Sequence, residues 1–171
     1  LSRRPVIMAN ALPVGAYDRI LVATDLSDCS ALAIEAARRL GLLDSADVVA
    51  LHAFDAPAQG MMLRASTTTQ QLKNYLADQE EHAGAELEAF LNRLAFKPRE
   101  RIVRLIETSA AETIRECVRQ GRVDLVVLGT RGRSGMARLF LGSVAEDVLR
   151  NAEIDVLAVP PGRGAAASPS P

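Results

Sequence analysis

Five short apolar runs, at residues 20–24, 47–53, 101–106, 124–128 and 156–159, alternate along the chain with segments of helical periodicity. Nothing else in the sequence restricts the fold as much. Runs of this length, rich in Val, Ile and Leu and bounded by turn residues, read as strands, 124–128 as one buried on both faces, while 101–106 alternates only partly and reads as a strand from its β-branched residues and its place between Pro98 and a helical pattern. The helical stretches between them read as right-handed crossovers, which makes the strands parallel. The expectation is a doubly wound α/β domain over residues 17–161, with helices on both faces of the sheet.

Local signals place the helices. Ser27 or Asp28 opens one that runs to Leu40, and Gly41 supplies its stop. A long amphipathic segment from about Thr68 to Ala95 carries Leu72, Leu76, Ala83, Leu87, Phe90, Leu91 and Leu94 as an apolar stripe. The stretch before it, with Pro57 and Gly60, reads as a loop. Ser109 and Glu112 have capping-box spacing and open a helix that ends near Gly121. Ser143 and Glu146 repeat that spacing before the last strand, which Pro160 and Pro161 terminate. Residues 162–171 are small, polar and proline-broken, and read as a disordered tail.

Composition narrows the possible partners. At 171 residues and 49% hydrophobic content the chain can bury one substantial core. Twenty basic against 21 acidic residues give a net charge of −1, which leaves no footprint for sequence-independent nucleic-acid binding. Cys29 and Cys117 are isolated and lack Cys-x-x-Cys spacing, the pattern of small buried groups in a reducing compartment. No apolar run approaches the roughly 18 residues that span a bilayer. Ser2, Arg3 and Arg4 resemble a twin-arginine leader, but Pro5, Asn10 and Pro13 interrupt the short apolar stretch after the arginines. These features point to a cytoplasmic protein that engages neither membrane nor nucleic acid.

The chemistry concentrates after the fourth apolar run. Gly129, Thr130, Arg131 and Gly132 form a glycine-bearing turn, and Gly142 with Ser143 stand at the front of a helix. Glycine lets an anion approach main-chain N–H groups that a Cβ would shield, and it admits positive φ. A helix N-terminus adds unpaired amides and the positive end of a dipole. Together they suit a phosphate chain, with Arg131, Arg133 and Arg138 adding positive field. The same residues also satisfy an ordinary strand, loop and capped helix. In a doubly wound sheet the ligand crevice lies beyond the carboxyl ends of the strands at the switch point, which brings Thr24, Asp25 and Ala53 to the glycine turn. His52, flanked by apolar strand residues, reads as a hydrogen-bonded core group, and His82 beside Glu80 and Glu81 as a surface residue.

Residues 20–27, Ile-Leu-Val-Ala-Thr-Asp-Leu-Ser, and residues 48–53, Val-Val-Ala-Leu-His-Ala, together with the glycine spacing, resemble the universal stress protein family from about Tyr17 to Pro160. The resemblance implies a five-stranded parallel sheet of order 3-2-1-4-5 and a homodimer through the last strand. It implies ATP as ligand, with Mg²⁺, and stress survival rather than a defined reaction. Position by position, it sets Thr24 and Asp25 against ribose or phosphate, Ala53 against the adenine edge and Leu128 beside the base. Gly129, Arg131 and Gly132 fall in the phosphate loop, and Gly142, Ser143, Val144 and Ala145 at the helix-start phosphate contacts. Asp25 fits either a ribose hydroxyl or water-held Mg²⁺ on one reading, or helix capping on the other. Ala145 stands where ATP-binding relatives often carry a hydroxyl, and Asp155 where a proline is usual.

The first 16 residues form an arm or linker in which residues 4–9 echo residues 155–159. They resemble the junction of tandem family members, so the alternatives are a remnant of an upstream repeat, which would pair with the domain, or a loose arm. The expected function is a nucleotide-dependent stress-response module. The alternatives are a nucleotide-free dimerisation module of the same fold or a slow ATPase. An adenylating enzyme of the related ATP-pyrophosphatase type would need a glycine-rich loop after the first strand, and residues 24–28 contain no glycine.

Overall fold

The structure, a computed structural model, describes residues 4–10, 15–65, 67–132 and 141–162. In chain order the elements are β1 (Val6–Met8), β2 (Arg19–Thr24), α1 (Asp28–Arg39), β3 (Asp47–Phe54), α2 (Gln59–Arg64), α3 (Thr69–Arg93), β4 (Glu100–Leu105), α4 (Ala110–Gly121), β5 (Leu125–Gly129), α5 (Ser143–Asn151) and β6 (Asp155–Val159). The strands form one sheet in the order β1-β6-β5-β2-β3-β4. Strands β2 to β6 are parallel to their neighbours, and β1 runs antiparallel to β6. The expectation of a five-stranded sheet is therefore corrected to six. The parallel strands keep the expected relative arrangement, and the N-terminal arm adds an antiparallel strand outside them.

Successive side chains of a strand point to opposite faces, so each central strand supplies two cores. Ile20, Val22, Val48, Ala50, Leu125, Val127 and Leu157 meet Ala33, Ile34 and Ala37 of α1 and Leu87, Phe90 and Leu91 of α3. Leu21, Val49, Leu51, Val126, Leu128 and Val156 meet Ala111, Ile114 and Cys117 of α4 and Ala145 and Val148 of α5. Alanines on α1 let its backbone approach the sheet closely. That approach matters at the site.

The helix boundaries follow the capping residues, with three differences from the sequence reading. Ser27 caps α1, accepting from the Ser30 N–H, and Gly41 follows the C-cap at φ +69°. Residues 59–64, read as loop, form the short helix α2, whose six residues are too few to show a periodic signature. The long helix opens with a complete capping box between Thr68 and Gln71 and buries Ala83, Leu87, Phe90 and Leu91, while Leu72, Leu76 and Leu94 are half-buried. At α4 only half of the expected box forms, with Ser109 accepting from Glu112 N, because the Glu112 carboxylate pairs with Arg115 and Arg119 instead. That helix ends at Gly121, as expected, and its C-cap Arg122 lies in the left-handed region, at φ +52°. At α5 the N-cap is Gly142, and Ser143 is the first helical residue without a capping bond. The Glu146 carboxylate reaches forward to Arg150 at 2.7 Å, so no capping box exists there.

The N-terminal arm lies along the open edge of β6, where a homodimer contact was expected. Its register pairs Val6 with Ala158, Ile7 with Leu157 and Met8 with Val156. Asp155 anchors it: the carboxylate accepts from Asn10 N at 2.8 Å and from the Tyr17 hydroxyl at 2.7 Å. Burial, then the hydrogen bond to Asp155, pushes the Tyr17 phenol up to about 12, so it remains a donor at neutral pH. The other sheet edge, β4, carries Glu100, Arg101 and Arg104, charges that discourage stray pairing. No helix among the described residues is long and apolar enough to cross a membrane. Arg133, Arg138 and the tail beyond 162 lie outside the described residues.

Candidate functional site

The chain leaves β2 and β5 in opposite lateral directions, so their carboxyl ends flank a crevice at the switch point of the sheet. There the structure holds a cleft of about 780 Å³, counting its open mouth. Thr24, Asp25, Ala53, Leu128, Gly129, Arg131, Gly132, Gly142, Ser143, Val144 and Ala145 all line it. Segments more than one hundred positions apart in sequence thus face one cavity. Sequence reasoning passed over Ser30, Leu51, Thr130, Ala110 and Ile114, which line it too. Two signals could have found the last pair. The cap at Ser109 puts the start of α4 on the same side of the sheet as the glycine turn, and Ile114 follows one helical turn later.

At the end of β2 the backbone turns sharply through Leu26, whose φ is +65°. Thr24 Oγ1 accepts from Leu26 N at 2.9 Å, and the Thr24 carbonyl accepts from His52 Nδ1 at 2.9 Å. His52 is therefore the hydrogen-bonded core group expected, 5% exposed. Asp25 Oδ1 accepts from the Ser27 N–H at 3.2 Å, the Ser27 hydroxyl at 2.5 Å and the Ser30 hydroxyl at 2.6 Å. One carboxylate oxygen thus shapes the entry to α1, while Oδ2 is directed at Gly132.

Of the two reasons their spacing suggested for the glycines of the turn, positive φ does not apply. Neither Gly129 nor Gly132 has positive φ. A Cβ on Gly129 would stand 2.9 Å from the Cys29 carbonyl carbon, so this glycine admits the close approach of α1 to β5. On Gly132 it would stand 2.8 Å from Asp25 Oδ2, and on Gly142 it would stand 3.2 Å from the Thr130 carbonyl oxygen. Each glycine thus sits at a close contact: Gly129 against α1, Gly132 against the Asp25 side chain and Gly142 against the turn after β5. The last of these holds the turn after β5 against the start of α5, where Gly142 N donates to the Thr130 carbonyl at 2.8 Å.

The first residues of α5, Ser143, Val144 and Ala145, line this space. The helix's first main-chain bond runs from Glu146 N to the Gly142 carbonyl at 2.8 Å, so the N–H groups of Ser143, Val144 and Ala145 belong to the turn that lacks intrahelical acceptors. Opposite them, Leu51, Ile114 and Leu128 make an apolar wall. Apolar side chains beside a small number of polar groups are a common lining for a small-molecule site. Cys29 lies beneath the turn, where burial pushes its thiol up while the main-chain N–H groups of Arg131 and Thr130 act in the opposite sense. The thiol stays protonated at neutral pH and brings no negative charge to the cleft. Among the described residues no group of three or more His, Cys, Asp or Glu side chains is placed to hold a metal.

On the far side of α5, Arg115 of α4 bridges Glu112 at 2.5 Å and Asp147 of α5 at 2.7 Å, which fixes the two helices that close the cleft. Arg115 holds both carboxyls below the usual carboxylate range.

Comparison with known proteins agrees with this architecture. A model of the universal stress protein family matches residues 16–160. The chain is 31% identical over 144 residues to universal stress protein MJ0531 of Methanocaldococcus jannaschii, an alignment covering 84% of this chain and 82% of that one. It superposes on the solved structure of MJ0577 from the same organism with a TM-score of 0.64 and 25% identity, over 88% of this chain and all of that one. A universal stress protein crystallised in complex with cAMP shares the fold, at 21% identity and a TM-score of 0.50 over 85% of this chain and 98% of that one. On the matched span, the sheet and these relatives together, the chain belongs to the universal stress protein family.

Proposed function

We propose that the cleft binds an adenine nucleotide, ATP with Mg²⁺, and that the chain acts as a nucleotide-dependent stress-response module. The observation that carries this reading is the convergence of the Gly129 turn and the α5 N-terminus on one open pocket, with an apolar wall opposite. The base would lie against Leu51, Ile114 and Leu128, near the Ala53 main chain. The phosphates would meet the amides of Gly132, Ser143, Val144 and Ala145, with Arg131 adding charge. Each charge-assisted hydrogen bond contributes roughly 1.5–3 kcal/mol, so a few of them hold a polyphosphate without a dedicated lysine. Asp25 is the cleft carboxylate for a ribose hydroxyl or for the water shell of Mg²⁺, which when bound would neutralise phosphate charge.

Ala145 offers its amide but no hydroxyl, which favours a ligand with fewer phosphate contacts and makes the cAMP complex of the similar protein relevant. Thermal unfolding with each ligand decides between them. Mg-ATP at one hundred times its Kd adds about 2.7 kcal/mol, which raises the Tm by about 5–10 °C for a chain of this size. A larger rise with cAMP than with ATP reassigns the ligand. No rise with either at millimolar concentration contradicts nucleotide binding.

A further inference from the structure

β1 stands in a position that can be written down in advance for another strand. Were two β6 strands to pair antiparallel about Leu157, the second copy's Val156 would oppose Ala158, its Leu157 would oppose Leu157, and its Ala158 would oppose Val156. The arm sets Val6 opposite Ala158, Ile7 opposite Leu157 and Met8 opposite Val156. Valine replaces valine, isoleucine replaces leucine, and methionine replaces alanine. The likeness between residues 4–9 and 155–159 is thus also a likeness of register.

Two further observations bear on what the arm does. Its ladder is three residues long, with Val6 and Ile7 46% and 43% exposed, whereas Val156 and Leu157 beneath are fully buried. Its far end is clasped by side chains: Asn10 N and the Tyr17 hydroxyl donate to Asp155, and Asn10 Nδ2 donates to the Ile154 carbonyl at 3.0 Å. A β6 stripped of the arm would present a row of unpaired main-chain groups on an apolar strand, a template for another strand.

We propose that residues 5–10 are an internal cap that takes the place of a second copy of this chain on the β6 edge, and that self-association through β6 proceeds only when the arm leaves. The occupant is the β6 of the second copy, antiparallel, with the two-fold axis at Leu157. Tethering decides the competition. A short linker holds the arm at an effective concentration in the millimolar range, so a free copy at micromolar concentration loses to it although its strand is longer. Loosening the Asp155 clasp or breaking the arm's ladder reverses the outcome.

The test is sedimentation equilibrium of the full chain at tens of micromolar, comparing the parent with the double variant Ile7→Pro and Met8→Pro. The prolines remove main-chain donors from β1 and leave β6 and the cleft untouched. The expected result is a particle of twice the parent's mass, returned to the parent's mass by a millimolar synthetic peptide of residues 4–10. A variant with the parent's mass, or a doubled mass that the peptide does not reverse, overturns the proposal. Should circular dichroism show the proline variant unfolded, Tyr17→Phe with Asn10→Ala, which keeps β1 intact and weakens only the clasp, carries the same two outcomes.

Discussion

At the scale of single residues the glycine spacing separates into distinct jobs that substitution can tell apart. At Gly132 an added Cβ meets only the end of the Asp25 side chain, so Gly132→Ala displaces a carboxylate and narrows the phosphate end of the cleft. ATP affinity should fall about tenfold or more while stability changes by no more than about 1 kcal/mol. At Gly129 the added atom meets the Cys29 main chain, which cannot move aside. Gly129→Ala should destabilise the ligand-free protein by about 1–3 kcal/mol, as overpacking does. Calorimetric titration and urea unfolding of both variants check the pair, and equal behaviour of the two contradicts the division. The sequence made these positions conspicuous, but the positive φ it suggested for two of them is not there, and the close contacts that exclude a Cβ were not foreseen. Backbone φ and the distance across a cleft depend on which segments the fold brings together, and neither is written in a local pattern. Asp25 shows the same limit, since only the structure reveals that Oδ1 is engaged by Ser27 and Ser30 while Oδ2 faces the turn.

Among the elements, legibility followed the number of residues that repeat a signal. β2, β3, β5 and β6 were readable because each is a run of mainly aliphatic, buried residues, β4 from its β-branched residues and its place before a helical pattern, and α3 because its stripe persists over 25 residues. Short elements were not. The helix α2 has six residues and β1 three, too few for periodicity to stand out from chance. Caps were read from spacing, and spacing misled wherever a better partner lay nearby: Arg115 and Arg119 draw Glu112 away from Ser109, and Gly142 forestalls Ser143. The end of α4 yields a prediction of its own. Arg122 holds a left-handed conformation that costs a side-chain-bearing residue roughly 1–2 kcal/mol. Arg122→Gly relieves that strain but loosens the unfolded chain, so the net gain should be a few tenths to about 1 kcal/mol in urea unfolding. A loss of stability would mean that the cap carries no strain.

For the whole molecule, topology turns these local features into a site. Two helix layers pack on opposite faces of one sheet, the strand order reverses between β2 and β5, and the crevice there gathers residues that are remote in sequence. That gathering was legible beforehand because it follows from connection rules rather than from side-chain detail. The sixth strand was legible only as an echo of residues 155–159 in residues 4–9, because no rule of crossover topology says which edge a preceding arm will cover. The central claim is that the Gly129 turn and the α5 N-terminus together hold the phosphates of an adenine nucleotide. Two-dimensional ¹H–¹⁵N NMR of the labelled chain, titrated with Mg-ATP, tests it most directly. The amide resonances of Gly132, Ser143, Val144 and Ala145 should show the largest saturable shifts, with those of β1 and β4 unchanged. Saturable binding that leaves these four amides unmoved would contradict the account.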